Sequence, residues 1–282
     1  MARAGGPVTV CVINLKGGVG KSTISALLAR RGYRTRGLDV LAIDLDPQAN
    51  LSQGLMHGDY TEFLTQQRTS IVEVFSGYVP PTTKVSAPKP IPPDSTFETI
   101  AQTGSRSLQL IPSRFDFSDN LLGAVRPDPK TLARYLSSNF QHKDLIIIDC
   151  SPTESVLTTA AYHASGSVLV PVKPEYFATI GFPLLQQSLD HFRNRNRGHH
   201  ITVAGVVVNN AFYDGGNDGG PEKARAIKEI RAEAKKNGWP IYANEIHHSR
   251  GFPKIMRGDN SYPGNAQFFF IFADEFFRSV GL

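Results

Sequence analysis

Seven short runs of aliphatic and β-branched residues recur along the chain with almost no polar alternation: VTVCVIN (8–14), DVLAID (39–44), LQLIP (108–112), DLIIID (144–149), SVLVPV (167–172), ITVAGVVVNN (201–210) and PIYANEI (240–246). A half-buried strand alternates apolar with polar side chains, whereas a strand that is apolar at every position has both faces covered, the condition of a parallel sheet roofed by helices. Between these runs SALLARRGYR (25–34), PKTLARYLSSNF (129–140), FPLLQQSLDHFRNR (182–195) and PEKARAIKEIRAEAKKNG (221–238) have helical spacing, the last opening on Pro221 and stopping at Gly238. Strand and helix in alternation specify an α/β fold with a doubly wound, mostly parallel central sheet flanked by helices. At 282 residues and 40% hydrophobic the chain is long enough to bury one large core, and we expect one domain over 1–282. Two stretches break the rhythm. The span 76–107 begins with the proline-rich SGYVPPTTKVSAPKPIPPDS and is expected to be a surface excursion, and the glycine-rich AFYDGGNDGGP (211–221) follows a strand and is expected to be a loop at the carboxyl edge.

The first run passes directly into VINLKGGVGKST (12–23) and then into a helix. A glycine-rich turn in this setting points backbone N–H groups inward at phosphates, and the following helix adds its positive N-terminal end. Gly17, Gly18, Val19 and Gly20 supply the turn, Lys21 is placed to reach the β and γ phosphates, and the Ser22 hydroxyl is placed to ligate Mg²⁺. The alternative, a glycine-rich β–α turn without a ligand, does not account for strand, loop and helix all falling where the motif needs them. One feature is unusual. The standard pattern G-x-x-x-x-G-K-[ST] would begin with glycine at position 15, but Leu15 stands there and is followed by an additional lysine, Lys16.

Nucleotide hydrolysis also needs carboxylates to hold the metal and orient the attacking water. Asp149 ends DLIIID, and Asp44 and Asp46 lie in LAIDLDPQAN. Either segment alone reads equally as a helix or turn cap, and their presence together with the loop favours the catalytic reading.

KGGVGKST, LAIDLDPQANLS, DLIIIDCSPT and VLVPVKPEYFATIGFPLL, in this order, resemble the ParA/Soj partition ATPases of the deviant Walker A group, to which MinD also belongs. The resemblance covers most of the chain, from residue 8 to the C-terminal helix; it weakens after residue 205 and leaves 76–107 unmatched. It implies an ATPase that uses ATP and Mg²⁺, is weak alone, and is stimulated by a ParB-like or cargo-adaptor protein. It gives Lys16 the role of the signature lysine that reaches the ATP of the other subunit in a nucleotide-dependent homodimer, much as an arginine finger acts in trans. A lysine paired with a local carboxylate is the plainer reading. The resemblance further implies that Asp46 positions the hydrolytic water, that Asp44 and Asp149 hold Mg²⁺ through its waters, that Thr23 contacts the α-phosphate, and that Asn209 or the adjacent Asn210 contacts adenine.

Proteins of this group track on non-specific DNA, which requires an exposed basic surface. On a helical wheel of 221–238, Arg225, Lys228, Arg231 and Lys235 form one stripe, Ala226, Ile227, Ile230 and Ala234 a second, and Glu222, Glu229 and Glu233 a third. The basic stripe suits phosphates, which need charge but no base-reading geometry; a solvated helix laced with i,i+4 ion pairs is the alternative. The cluster HFRNRNRGHH (191–200) is a second basic candidate, and the net charge of +5 favours an anionic partner without identifying one. Membrane binding through NAQFFFIFADEFFRSVGL is disfavoured by Asp274 and Glu275 beside a single arginine. No window approaches the roughly 18 uncharged apolar residues of a membrane span, and a cytoplasmic, nucleoid-associated protein is expected. Cys11 and Cys150 fall within apolar runs and do not form a cluster ligand set, which disfavours a metallocluster enzyme on the same fold, and the pairs His199–His200 and His247–His248 are read as structural or solvated.

Overall fold

The computed structural model describes residues 6–76, 95–115, 128–175, 181–210, 220–247, 249, 251–256 and 266–282. Its elements run β1 (Val8–Val12), α1 (Lys21–Thr35), β2 (Val40–Asp44), α2 (Asn50–Met56), α3 (Asp59–Thr65), α4 (Ile71–Ser76), β3 (Glu98–Thr103), β4 (Arg106–Ile111), α5 (Thr131–Asn139), β5 (Leu145–Asp149), α6 (Val156–Ala164), β6 (Ser167–Val172), α7 (Gly181–Arg195), β7 (Thr202–Asn210), α8 (Gly220–Lys236), β8 (Ile246–His247), α9 (Phe252–Met256) and α10 (Gln267–Ser279). The strands form one eight-stranded sheet in the order β3-β4-β2-β5-β1-β6-β7-β8. Every pairing is parallel except β3 with β4.

The continuous apolar runs have the cause expected of them. Along β1, β2 and β5 the residues Cys11, Leu41, Ile43, Ile146 and Ile148 pack into the core on one side of the sheet, and Val10, Val12, Val40, Ala42, Leu145 and Ile147 into the core on the other. Each strand feeds both layers, so neither face offers a place for a polar residue. The register sets β2 against β5 from Val40↔Leu145 to Asp44↔Asp149, and β1 against β5 from Val8↔Leu145 to Val12↔Asp149. The carboxyl ends of three central strands are therefore level, and the order reverses beside β1, where ligands bind in sheets of this kind.

Three parts of the sequence reading need correction. The excursion expected over 76–107 gives way at Glu98 to β3, an edge strand turned onto β4 through a two-residue loop, with Thr103 opposite Arg106 and Gly104 at φ +60°; residues 77–94 lie outside the described residues. PIYANEI does not form a full strand: Ile241 makes a single bridge to Val206, and only Ile246–His247 pair with β7. Short helices α2, α3, α4, α6 and α9 also stand where no helix was expected. The loop expected over 211–221 lies mostly outside the described residues, as does His248.

The C-terminal helix α10 is packed on the body as expected. Phe269, Phe272, Phe276 and Phe277 are fully buried, each worth roughly 1.5–3 kcal/mol relative to exposure. Arg31 of α1 clamps it, donating to both carboxylate oxygens of Asp274 at 3.1 and 3.0 Å with its guanidinium 4.4 Å from the Phe270 ring centroid. Its four buried phenylalanines are thus committed to the core, while Phe268 and Ile271 of the same helix stay exposed. Among the described residues no helix is long and apolar enough to cross a membrane.

Candidate functional site

At the end of β1 the chain leaves the sheet and turns into α1 through 13–20. Gly20, the residue before α1, has φ +89°, and a Cβ there would lie 2.3 Å from the Asn209 amide nitrogen, so both backbone and packing demand glycine. Gly20 brings no side-chain cap to α1, which leaves the helix N-terminal N–H groups open to a ligand. They face a cavity of 520 Å³ lined by Gly17, Gly18, Gly20, Lys21, Ser22, Thr23 and Asp46, all singled out from the sequence, and by Gln48, Asn50, Pro152 and Met256, which were not.

The two loop lysines differ in surroundings. Lys21 is buried, and its ammonium donates to the carbonyls of Asn14 at 3.3 Å and Lys16 at 3.4 Å. Burial pulls its pKa down, opposed by the nearby Asp149 and Asp46 carboxylates. Lys16 turns away from the cavity and pairs with Glu175 at 3.2 Å, a carboxylate just past β6 that Lys173 also approaches at 3.5 Å. The local partner weighed for Lys16 therefore exists, and it is Glu175.

The acids gather as expected but play unequal parts. Asp44 and Asp149 stand opposite each other at the ends of β2 and β5, both fully buried. Asp44 Oδ2 accepts from Ser52 N (2.8 Å) and Ser52 Oγ (2.7 Å), and its Oδ1 accepts from Asp46 N (3.1 Å). Burial nonetheless pushes its pKa up to about 7, against the lowering pull of those hydrogen bonds. The Asp149 pKa is raised well above the carboxylate range, first by burial and then by the charge of Asp44, with Ser22 and Lys21 pulling the other way. Ser25 Oγ donates to its Oδ1 at 3.2 Å, while its Oδ2 has no hydrogen-bond partner among the described residues. Asp46 is 7% exposed at the cavity wall, and its Oδ1 accepts from Gln48 N at 3.0 Å.

Asn209, at the end of β7, donates from its amide to the Val19 carbonyl at 2.9 Å, so it braces the loop that Val19 helps to form. Across the molecule, α8 buries Ala226, Ile230 and Ala234 and exposes Arg225, Lys228, Arg231 and Lys235, the expected division of its faces. Arg225 also makes the i,i+4 pair of the alternative reading, to Glu229 at 3.0 Å. In the second basic cluster, Arg193 is occupied in binding the Ile201 carbonyl through Nε and Nη2. Cys11 and Cys150 are free, buried thiols, and Cys150 is pushed well up in pKa by its contact with Cys11 and by burial.

Sequence reasoning missed Asn14, Ser25, Ser52 and Glu175, each of which acts on a residue far from it in sequence or hidden within an element. For Asn14, Ser25 and Ser52 the signal lay in polar residues at the end of an apolar run or inside helices, where a buried hydroxyl or amide needs a partner, whereas Glu175, outside any element, offered none.

Comparison with known proteins follows the same lines. The family model described as an AAA domain matches residues 8–202. The chain is 30% identical over 229 residues to the chromosome partitioning protein ParA of Caulobacter vibrioides, covering 78% of this chain and 74% of the relative. It is 34% identical over 208 residues to the sporulation initiation inhibitor protein Soj of Bacillus subtilis, covering 71% of each. Among solved structures, an McdA–ATP complex from Cyanothece superposes with a TM-score of 0.74 over 98% of this chain and 97% of that chain, at 17% identity, a likeness of fold. A phosphate loop with an additional lysine, two acids level at the strand ends and these relatives place the chain in the ParA/Soj family of partition ATPases.

Proposed function

We propose that the protein is an ATPase that dimerises with ATP, binds non-specific DNA through α8, and positions or partitions a plasmid, chromosome or other cargo. One observation carries the reading. Of two lysines five residues apart in one loop, Lys21 faces the cavity and Lys16 faces out, held by a pair in which its side chain is 30% exposed. An exposed pair of this kind is worth only about 0–1 kcal/mol. Lys16 is thus free to exchange Glu175 for a phosphate of a second subunit.

In this reading the N–H groups of Gly17 to Thr23 and the Lys21 ammonium hold the phosphates, with Lys21 exchanging main-chain carbonyls for phosphate oxygens. Mg²⁺ fits the donor set: Ser22 supplies a hydroxyl ligand, and the crowded carboxylates of Asp44 and Asp149, one with an orphaned oxygen, gain from a dication. That ion would neutralise charge on the β and γ phosphates. Asp46, at the cavity wall, orients the attacking water. Asn209 contributes by bracing the loop through its amide bond to Val19, and the adenine contact of Asn209 or Asn210 belongs to the same proposal. An adaptor that stimulates hydrolysis, and residence on the nucleoid in the cytoplasm, belong to the same proposal, and the clamped α10 favours it over membrane cycling.

Sedimentation of the wild type and of Lys16→Ala, each with ADP and with a slowly hydrolysed ATP analogue, tests this. The wild type should dimerise with the analogue alone, and Lys16→Ala should bind nucleotide without turning it over. Equal monomer fractions of the wild type in both nucleotides would sink the reading.

A further inference from the structure

Asn14 stands where β1 stops being a strand. Up to Ile13 the ladder with β6 is intact, with Ile13 N donating to the Leu169 carbonyl at 3.0 Å. In a parallel pair the next rung belongs two residues on, from position 15 to the Pro171 carbonyl. The chain has by then turned away to begin the loop. The Asn14 side chain takes that rung instead, its Nδ2 donating to Pro171 O at 2.8 Å.

The rest of the residue is equally committed. Its Oδ1 accepts the main-chain N–H of Lys16 at 2.9 Å, its own carbonyl accepts the Lys21 ammonium at 3.3 Å, and it is 1% exposed. A Cβ on Gly181, the first residue of α7, would come 3.0 Å from Oδ1, so the amide is wedged against that helix as well. An amide with both ends bonded and no room to turn has one orientation, and it fixes the main chain of Lys16 in one orientation too.

We infer that Asn14 is a positioning residue that ends β1, replaces the lost rung to β6 with its own amide, and through the two-residue turn onto the Lys16 N–H aims Lys16 out of its own cavity. The catalytic half of this inference rests on the ATPase reading above; the positioning half does not. Glu175, four residues beyond Pro171, steadies the far end of the same lysine, so backbone and ammonium of Lys16 are both referenced to the end of β6.

Two variants separate the bonds. Asn14→Ala removes both. Asn14→Ser keeps an acceptor within reach of the Lys16 N–H, as serine does in such turns, but is too short to reach Pro171 O. Hydrogen exchange of the Lys16 amide, followed by NMR in the nucleotide-free protein, should speed up about tenfold in Asn14→Ala, the worth of one ordinary hydrogen bond, and return most of the way in Asn14→Ser. Steady-state hydrolysis should show kcat reduced about tenfold in Asn14→Ala with KM for ATP within about threefold, because the phosphate cradle of 17–23 is untouched, and Asn14→Ser should again recover. Unchanged Lys16 exchange in Asn14→Ala, a serine variant no better than alanine, or a loss confined to KM would each overturn the inference. Should the alanine variant not fold, the serine variant decides by itself, with Lys16 exchange near wild type supporting the role and exchange tenfold faster refuting it. If the wild type does not turn over ATP, the ATPase reading has failed and the exchange measurement alone judges Asn14.

Discussion

The two ends of β2 and β5 carry the same ingredients, two aspartates and a lysine, in opposite conditions. At the amino end, Lys143 is buried and its ammonium donates to Asp39 Oδ1 at 2.8 Å and to Ser107 Oγ at 2.9 Å. Ser107 N and Oγ return two bonds to the same Asp39 oxygen, and Asp39 N donates to Asp144 Oδ2 at 2.8 Å. Burial lowers the Lys143 pKa, but hydrogen bond and charge from Asp39 oppose it. At the carboxyl end, Asp44 and Asp149 face each other with raised pKa values, and the Lys21 ammonium rests on carbonyls of its own loop. The first cluster is complete within the chain, and the second leaves charge uncompensated. A buried ionic group closed upon itself is structure, whereas one left short of a cation and of an anion for its lysine is the kind of site that the proposed metal–nucleotide would complete.

The largest effect expected from this contrast lies at the closed end. Lys143→Ala strands a largely buried carboxylate and should cost about 3 kcal/mol in stability by denaturant unfolding, the low end of the range for breaking a buried pair because Ser107 still serves Asp39. A loss below about 1 kcal/mol would mean that the network is ornamental.

The open end should respond with the opposite sign. Because the Asp149 pKa is raised in the folded state, the native chain binds more protons than the unfolded one between the two pKa values, so this group drains stability as pH rises through that window. Asp149→Asn removes that drain and keeps an acceptor for Ser25 Oγ. Without nucleotide or metal its unfolding free energy should therefore exceed that of the wild type at pH 8 by a margin that shrinks toward pH 5, on the order of 1–2 kcal/mol at most. The same change should abolish the further stabilisation that Mg²⁺ and ATP together give the wild type. A variant less stable than the wild type by the same amount at every pH would place Asp149 among the structural acids and erase the contrast.

Legibility of the sequence divides along a related line. Strands β1, β2, β4, β5, β6 and β7 were readable because burial on both faces leaves no polar position to confuse the pattern. β3 was not, since ETIAQT is a half-exposed edge strand, although the Gly104–Ser105 turn between two extended runs was a usable hairpin signal. Helices of five to nine residues such as α2, α6 and α9 escaped because they are held by packing, not by a periodic face of their own. At the site, the loop was legible because its glycines answer to local backbone geometry. Asn14, Ser25, Ser52 and Glu175 were not, because their meaning lies in partners such as Pro171, Asp149, Ser113 and Lys16 that only the fold brings near.

The smallest expected change in stability belongs to charges that have no buried partner at all. Arg225, Lys228, Arg231 and Lys235 are exposed on α8 while Ala226, Ile230 and Ala234 hold the helix to the core. Changing the four together to alanine forfeits one exposed pair, Arg225 with Glu229, worth about 0.3–0.5 kcal/mol, and gains helix propensity, so unfolding should shift by no more than about 0.5 kcal/mol. If this stripe meets phosphates, the same variant should dimerise with ATP yet lose retention on DNA of any sequence, and each contact removed should flatten the plot of log affinity against log salt by roughly 0.9. In the proposed function, dimerisation would double the contacts without altering the stripe, and a nucleotide at one edge of the sheet would so govern binding by a helix outside it. A variant that holds DNA with unchanged affinity and salt slope would clear α8 and move the search to Arg195 and Arg197, whereas one that also fails to dimerise would show that these charges are not independent of the nucleotide site.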